Sequence, residues 1–208
     1  MFSLLLAASL SVSAPQDNLC SDPRNCREVG DVEVQVGRQM MGFSVNDTVP
    51  FVSEDGLTLF VGESVVVLVA DDGTLTVQSN GPAADIVTPE KLALAAAEMD
   101  AAFAGTGRDV APASVNPVAD GRPDRGLRIS LMQVPGSEET VLLVENGDNR
   151  QIDYQAYMQV PGGNGAQYTT TCEVMPNLMV MEHWPHPIAI IHLSRFQEMP
   201  ATGGTACD

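Results

Sequence analysis

The sequence is poor in basic residues, and this excludes several classes of partner. Its 208 residues include 27 acidic but only 10 basic side chains, which gives a formal net charge of −17, and Lys91 is the only lysine. Binding to a phosphate backbone requires a surplus of lysine and arginine to displace counterions. We therefore expect no binding to nucleic acid, and the same charge makes anionic membrane surfaces poor partners.

Motifs that indicate catalysis or a cofactor are also scarce. The chain contains no G-x-G-x-x-G motif, no P-loop, no calcium-binding D-x-D-x-D-G loop and no C-x-x-C pair. Ser64 follows Gly62 as in the nucleophile motif G-x-S-x-G, but Val66 stands where the second glycine belongs. The sequence predicts no cofactor and favours a non-enzymatic protein, with a hydrolase of unrecognised site as an alternative.

Long apolar runs are missing as well, so no transmembrane segment is expected in the mature chain. The longest apolar stretch near the N-terminus, Leu4–Val12, has the length of a signal-peptide core and is followed by small residues, although no basic residue precedes it. Residues 1–14 are therefore predicted to be a signal peptide. The mature protein is expected to be periplasmic or secreted.

The four cysteines support export. Cys20, Cys26, Cys172 and Cys207 form an even set after a signal-like segment, which is typical of disulfides made in an oxidising compartment. Four cysteines allow three connectivities. We favour Cys20–Cys26, which closes a turn-prone stretch, and Cys172–Cys207, which holds the C-terminus.

Most of the remaining chain has the patterns of β-strands and turns. Residues 31–38 alternate strictly, and an apolar run before Asp72-Gly73 is followed by a return strand, as in a hairpin. Six further strands are predicted in the ranges 126–134, 139–147, 151–160, 167–174, 177–183 and 188–196.

One helix interrupts the strands. Thr88 is a suitable N-cap and Pro89 a suitable first residue, and apolar residues then recur at helical spacing up to Phe103. The fold class is therefore mainly β, a β-sandwich-like arrangement of antiparallel strands with one α-helix at 89–104. We divide the chain into a signal peptide (1–14), a β-rich N-terminal region with one helix (15–105), a Gly- and Pro-rich linker or long loop (106–123) and a β-sandwich-like C-terminal region (124–208).

The stretch from Met181 to His192 holds all three histidines and the only tryptophan. The prolines that follow Trp184 and His186 push both residues toward extended geometry, so a helical H-x-x-H metal site is not expected. Two interpretations of the stretch remain. Its rigid part is a candidate recognition surface, formed by His183, Trp184, Pro185, His186 and Pro187; alternatively, and more simply, it covers the end of a sheet and packs into the core.

A soft-metal site is a third interpretation of this region. Met179, Met181 and His183 fall on one face of a predicted strand, with Trp184 adjacent. Thioether and imidazole groups suit Cu(I), and in ligand types alone the set resembles periplasmic copper-binding proteins that place a tryptophan beside the metal. The competing interpretation is that the methionines fill an irregular core.

Together these features predict an exported, non-enzymatic binding or structural protein of the periplasm or cell envelope. Its partner would be an envelope protein or a small ligand of unknown identity. A periplasmic copper-binding protein that uses Met181 and His183 is the alternative.

Overall fold

The computed structural model describes residues 16–104 and 122–200. Twelve strands and one α-helix are described, together with two short 3-10 turns at Gln16–Ser21 and Ala83–Asp85. The strands are β1 (Cys26–Val36), β2 (Gln39–Pro50), β3 (Val52–Ser53), β4 (Gly56–Phe60), β5 (Glu63–Val69), β6 (Leu75–Pro82), β7 (Leu127–Gln133), β8 (Thr140–Asn146), β9 (Gln151–Gln159), β10 (Gln167–Thr169), β11 (Met179–Trp184) and β12 (Ile190–Met199), and the helix is α1 (Pro89–Ala104).

Two five-stranded antiparallel sheets form a sandwich, which confirms the predicted fold class. One sheet has the order β10-β9-β12-β4-β3 and the other β11-β8-β7-β5-β6. Their facing sides bury a single apolar cluster, because alternate residues of each strand point to the same face. Fully buried members include Leu57, Tyr154 and Ile191 from the first sheet and Val67 and Ile129 from the second.

Strands from both halves of the chain contribute to each sheet. β4 from the N-terminal region pairs with β12, and β5 pairs with β7. The regions 15–105 and 124–208 therefore share one core. The predicted linker falls almost entirely outside the described residues, as does the predicted signal peptide.

The helix forms a third layer on the outer face of the second sheet, at β8 and β11. It begins as predicted, since the Thr88 hydroxyl accepts a hydrogen bond from the Lys91 N–H (3.3 Å). Ala95 packs with Leu143 and Met179 in a second apolar cluster. As a result β8 is buried on both faces, against the sandwich core on one side and the helix on the other.

Buried ion pairs also hold this helix in place. The Lys91 ammonium bonds the fully buried Glu145 carboxylate, which Arg128 also reaches at 3.4 Å. Further along the helix, Glu98 pairs with the buried Arg122 guanidinium and accepts the Met179 N–H at 2.9 Å. The only lysine of the chain is thus used to attach the helix to the sheet.

The third sheet is a two-stranded ribbon, β1–β2, and half of it was not predicted. The alternation over 31–38 indicates one strand, whereas the structure pairs the whole of β1 with a second long strand, β2. A two-residue loop, Gly37-Arg38, joins them. Gly37 has φ +62° and Arg38 has no positive φ, which is the pattern of a type II′ hairpin turn.

The first predicted disulfide is present. Cys20 and Cys26 are bonded and fix the start of β1. Cys172 is disulfide-bonded as well, and its predicted partner Cys207 lies outside the described residues. None of the described helices is both long enough and apolar enough to cross a bilayer.

Candidate binding surface

The proline-rich stretch forms the connection from β11 to β12. Thr140, at the start of β8, holds it by two hydrogen bonds: its hydroxyl donates to the His186 carbonyl at 3.1 Å and accepts the Ile188 N–H at 2.9 Å. Pro187 and Ile188 are buried. The connection therefore closes one end of the sandwich.

The candidate recognition residues in this stretch differ in exposure. Trp184 is only 8% exposed, lies in the sandwich core, and donates its indole N–H to the Thr169 hydroxyl at 3.0 Å. His183 and Pro185 are exposed, and His183 lies 3.3 Å from a carboxylate oxygen of Glu139. Because the amphipathic ring is buried, the stretch presents little apolar surface for docking.

The three residues of the copper alternative do share the outer face of β11. Met179 is 1% exposed and, with the half-buried Met181, packs into the apolar cluster beneath α1. His183 is at the exposed end of the strand. This placement agrees with methionines acting as core filling, and copper binding remains a prediction. Within the described ranges, no three His, Cys, Asp or Glu side chains are grouped as metal ligands would be.

One carboxylate of this stretch sits in an unusual environment. Glu182 points into the sandwich edge and accepts the Cys172 N–H at 2.8 Å, and burial raises the pKa of its carboxyl above the ordinary value of 4.5. Burial also raises the pKa of the nearby Tyr154 hydroxyl. Both groups thus favour their neutral forms.

Ser64 is not arranged as a nucleophile. Its hydroxyl is buried on β5 and lies 2.8 Å from the Ser130 hydroxyl on the neighbouring β7. Two of the histidines have other partners: His183 lies beside Glu139, and His192 lies 3.0 Å from the Thr58 hydroxyl. A hydrolase that used Ser64 as its nucleophile would require a general base beside the hydroxyl.

The β1–β2 ribbon is the surface that the sequence analysis missed. Most large apolar side chains that the structure shows exposed belong to β2: Met40 (59% exposed), Met41 (42%) and Phe43 (40%). The alternation of Met41, Phe43 and Val45 after the Gly37-Arg38 turn is the signal that identifies this strand. Met41 and Phe43 share one face of the strand and Met40 lies on the other, and exposed apolar side chains grouped on one element favour an interaction surface.

The base of the ribbon is firmly anchored to the sandwich. The Arg27 guanidinium makes a bidentate pair with the Glu63 carboxylate (2.8 and 2.9 Å) and donates to the carbonyls of Pro50 (2.6 Å) and Thr58 (3.0 Å). It also stacks over the Phe51 ring at 4.1 Å. This anchor ties both ribbon strands to β4 and β5.

The far end of the ribbon is held by a side-chain amide. Gln133 at the end of β7 accepts the Gln35 N–H (2.7 Å) and donates to the Gln35 carbonyl (2.8 Å), as a neighbouring strand would. Between these two anchors the inner face is packed: Val32 and Val34 are buried, and the Phe43 ring contacts the Phe60 ring with centroids 6.4 Å apart.

The outer edge of β2 is open. In the part of the chain that the structure describes, β2 pairs with β1 alone, over twelve residues. Three of the other sheet edges are short or polar: β3 has two residues, β10 has three, and β6 is rich in Thr, Gln, Ser and Asn and ends in Pro82. Proteins commonly protect sheet edges in these ways, so a long apolar open edge is an exception that suggests binding.

The solvent face of the ribbon is acidic. Glu28, Asp31 and Glu33 are exposed along β1. None of these three carboxylates has an ion-pair partner among the described residues. The ribbon therefore combines an apolar open edge with an unneutralised negative face.

Comparison of the chain with protein-family models, with curated proteins and with solved structures finds no match.

Proposed function

We propose that the protein is an exported, non-enzymatic binding protein of the periplasm or cell envelope, and that the β1–β2 ribbon is its binding surface. The observation that carries this proposal is the open edge of β2, with Met40, Met41 and Phe43 exposed beside it. The signal-like residues 1–14 and the bonded cysteines support export, because disulfides persist in oxidising compartments.

The anchoring of the ribbon supports a binding role. A surface that is already ordered before it binds loses less conformational entropy on association. Arg27 fixes the ribbon at its base and Gln133 near its turn, so the exposed residues are held in one arrangement. A ribbon with only a structural role would not need Met40, a largely exposed apolar side chain, on its solvent face.

Site-specific crosslinking in the native cells tests this proposal. A photoreactive phenylalanine analogue would replace Phe43 in the full-length chain, and the same group would replace Gln78 in a control variant. Gln78 is exposed on β6, which is also an edge strand but a polar one. Cell fractionation and intact-mass measurement of the same samples would show where the protein resides and whether residues 1–14 are removed.

The expected result is a processed, exported protein that forms one defined adduct from position 43 and none from position 78. An unprocessed cytoplasmic protein would contradict the export part of the proposal. Equal adducts from both positions, or none from position 43, would contradict the assignment of the ribbon as the binding surface.

A further inference from the structure

The hydrogen bonds of Gln35 determine which backbone groups of β2 are unpaired. Its N–H and its carbonyl both bond to the Gln133 side chain, so they point away from β2. Gln35 is directly opposite Met40. Gln35 and Met40 are therefore a non-hydrogen-bonded pair of the antiparallel ladder. The two residues of such a pair direct their N–H and C=O groups away from each other. The N–H and C=O of Met40 therefore point to the open edge.

The same holds for every second residue along the regular part of β2. The register is unbroken from Gln39 to Ser44, so Gly42 and Ser44 also direct both backbone groups outward. Beyond Ser44 the register shifts at a bulge, where Asn46 has φ +47°. We call Met40, Gly42 and Ser44 the open-edge residues. They present three donors and three acceptors in the spacing of a β-ladder.

The side chains on either face define what an added strand would contain. Met41 and Phe43 are on the inner face, beside the buried Val32 and Val34. Residues of an added strand that lie opposite them would complete this apolar layer. Residues opposite the open-edge residues would instead lie on the solvent face, which is the acidic one.

Gly42 leaves the space between the open edge and the acidic side chains of β1 unobstructed. It is paired with Glu33 on β1 and has no side chain to separate that carboxylate from a neighbouring strand. Adjacent strands are about 4.8 Å apart, so a lysine or arginine opposite Gly42 can reach over it to Glu33. Asp31, opposite Ser44, offers a second carboxylate on the same face. The pattern that fits has basic residues opposite Gly42 and Ser44 and apolar residues opposite Met41 and Phe43.

We infer that the open-edge residues bind an extended segment of a partner protein as an added β-strand, and that this segment alternates basic with apolar residues. The inference rests on the proposed function and specifies its partner. A second copy of this chain is disfavoured because each copy carries a net charge of −17 and the same acidic face. Strand addition uses main-chain hydrogen bonds for affinity and alternate side chains for specificity.

Backbone hydrogen exchange measured by NMR tests the inference directly. The probe is a capped peptide that alternates lysine or arginine with valine, and the matched control has glutamate in place of each basic residue. The basic peptide is expected to slow exchange at the N–H groups of Met40, Gly42 and Ser44 by about tenfold or more at saturation. The N–H groups of Met41 and Phe43, which already face β1, should not change.

Two variants of Met40 distinguish the contribution of its backbone N–H to peptide binding from that of its side chain. Met40→Pro removes one outward N–H that the ribbon itself does not use, whereas Met40→Ala shortens the side chain and keeps the N–H. Peptide affinity should fall up to about tenfold further in the proline variant than in the alanine variant, as expected for loss of one main-chain hydrogen bond. Glu33→Gln should weaken the basic peptide and remove part of its salt dependence.

Three outcomes would overturn the inference. The first is that the basic peptide binds but does not protect the open-edge N–H groups from exchange. The second is that the acidic peptide protects them equally. The third is protection that appears without peptide and increases with protein concentration, which would assign the edge to a second copy. Crosslinking from position 43 tests the proposed function separately, so that function can survive each of these outcomes.

Discussion

Among single residues, Glu182 shows how a buried carboxyl couples stability to pH. Burial raises the pKa of its carboxyl above 4.5, the ordinary value, while the Cys172 N–H that it accepts acts in the opposite direction. The folded state therefore binds the proton more tightly than the unfolded chain. The stabilisation from this residue is complete below about pH 4.5 and is lost as the pH rises through the raised folded value.

Replacing Glu182 with glutamine should remove this pH dependence. The variant keeps an oxygen that can accept the Cys172 N–H but cannot ionise. We expect the free energy of unfolding of Glu182→Gln, relative to that of the unsubstituted protein, to be higher at pH 7 than at pH 4.5. Urea unfolding at both pH values measures this difference. Glu54→Gln, at an exposed turn position, is the control and should show no such change. An equal effect of Glu182→Gln at both pH values would rule out burial as the cause.

At the scale of elements, the β1–β2 ribbon depends on contacts made by other strands. An isolated two-stranded ribbon is marginally stable in water, because it buries little apolar surface. Here Arg27 attaches the base to β4 and β5, and Gln133 attaches Gln35 to β7. The order of the open edge is therefore set at both ends by residues outside β2.

The Gln133→Ala variant tests this dependence. It removes two hydrogen bonds, each contributing about 1 kcal/mol, from the outer half of the ribbon only. Exchange at the Gln35 N–H should become at least tenfold faster, while the N–H groups near Arg27 and the global unfolding midpoint change little. Gln78→Ala, on an exposed face, is the control. Uniformly faster exchange along the whole ribbon would show that Gln133 does not act locally.

At the scale of the whole molecule, three layers are joined partly by buried charge. The helix contributes Lys91 to the fully buried Glu145, whereas the pair between Arg150 and the 97% exposed Asp71 lies at the surface. Removing one partner of a buried pair leaves the other charge without compensation in a poorly solvated site. Surface pairs are screened by water and salt.

These two pairs make a matched comparison. Glu145→Ala should lower the free energy of unfolding by about 3–5 kcal/mol, because the Lys91 ammonium then loses its carboxylate beneath the helix. Asp71→Ala should change it by no more than about 1 kcal/mol. Urea unfolding of both variants measures the difference. Similar small effects would show that the buried pair does not hold the helix to the sheet.

The strands and the helix that were predicted all follow from patterns among residues close together in the sequence. Six C-terminal strands and the helix carry alternation, an apolar run or helical spacing, together with turn residues and the Thr88 cap, and the structure places elements at those positions. The strand β2 was missed because its alternation of Met41, Phe43 and Val45 is short, with Met40 directly before it and the polar Asn46-Asp47 directly after it. Its partner β1 was predicted because Val32 and Val34 alternate with acids and are buried.

The sequence by itself determined the fold class, the helix, the preference for the short Cys20–Cys26 pair and the large excess of acidic over basic residues, since these follow from composition and from contacts between nearby residues. The tertiary structure decided the rest. It buried Trp184 and Met179, directed Glu182 into the sandwich, and left the edge of β2 unpaired with its acidic face exposed. These features depend on which distant strands lie side by side, and no local pattern in the sequence specifies that arrangement.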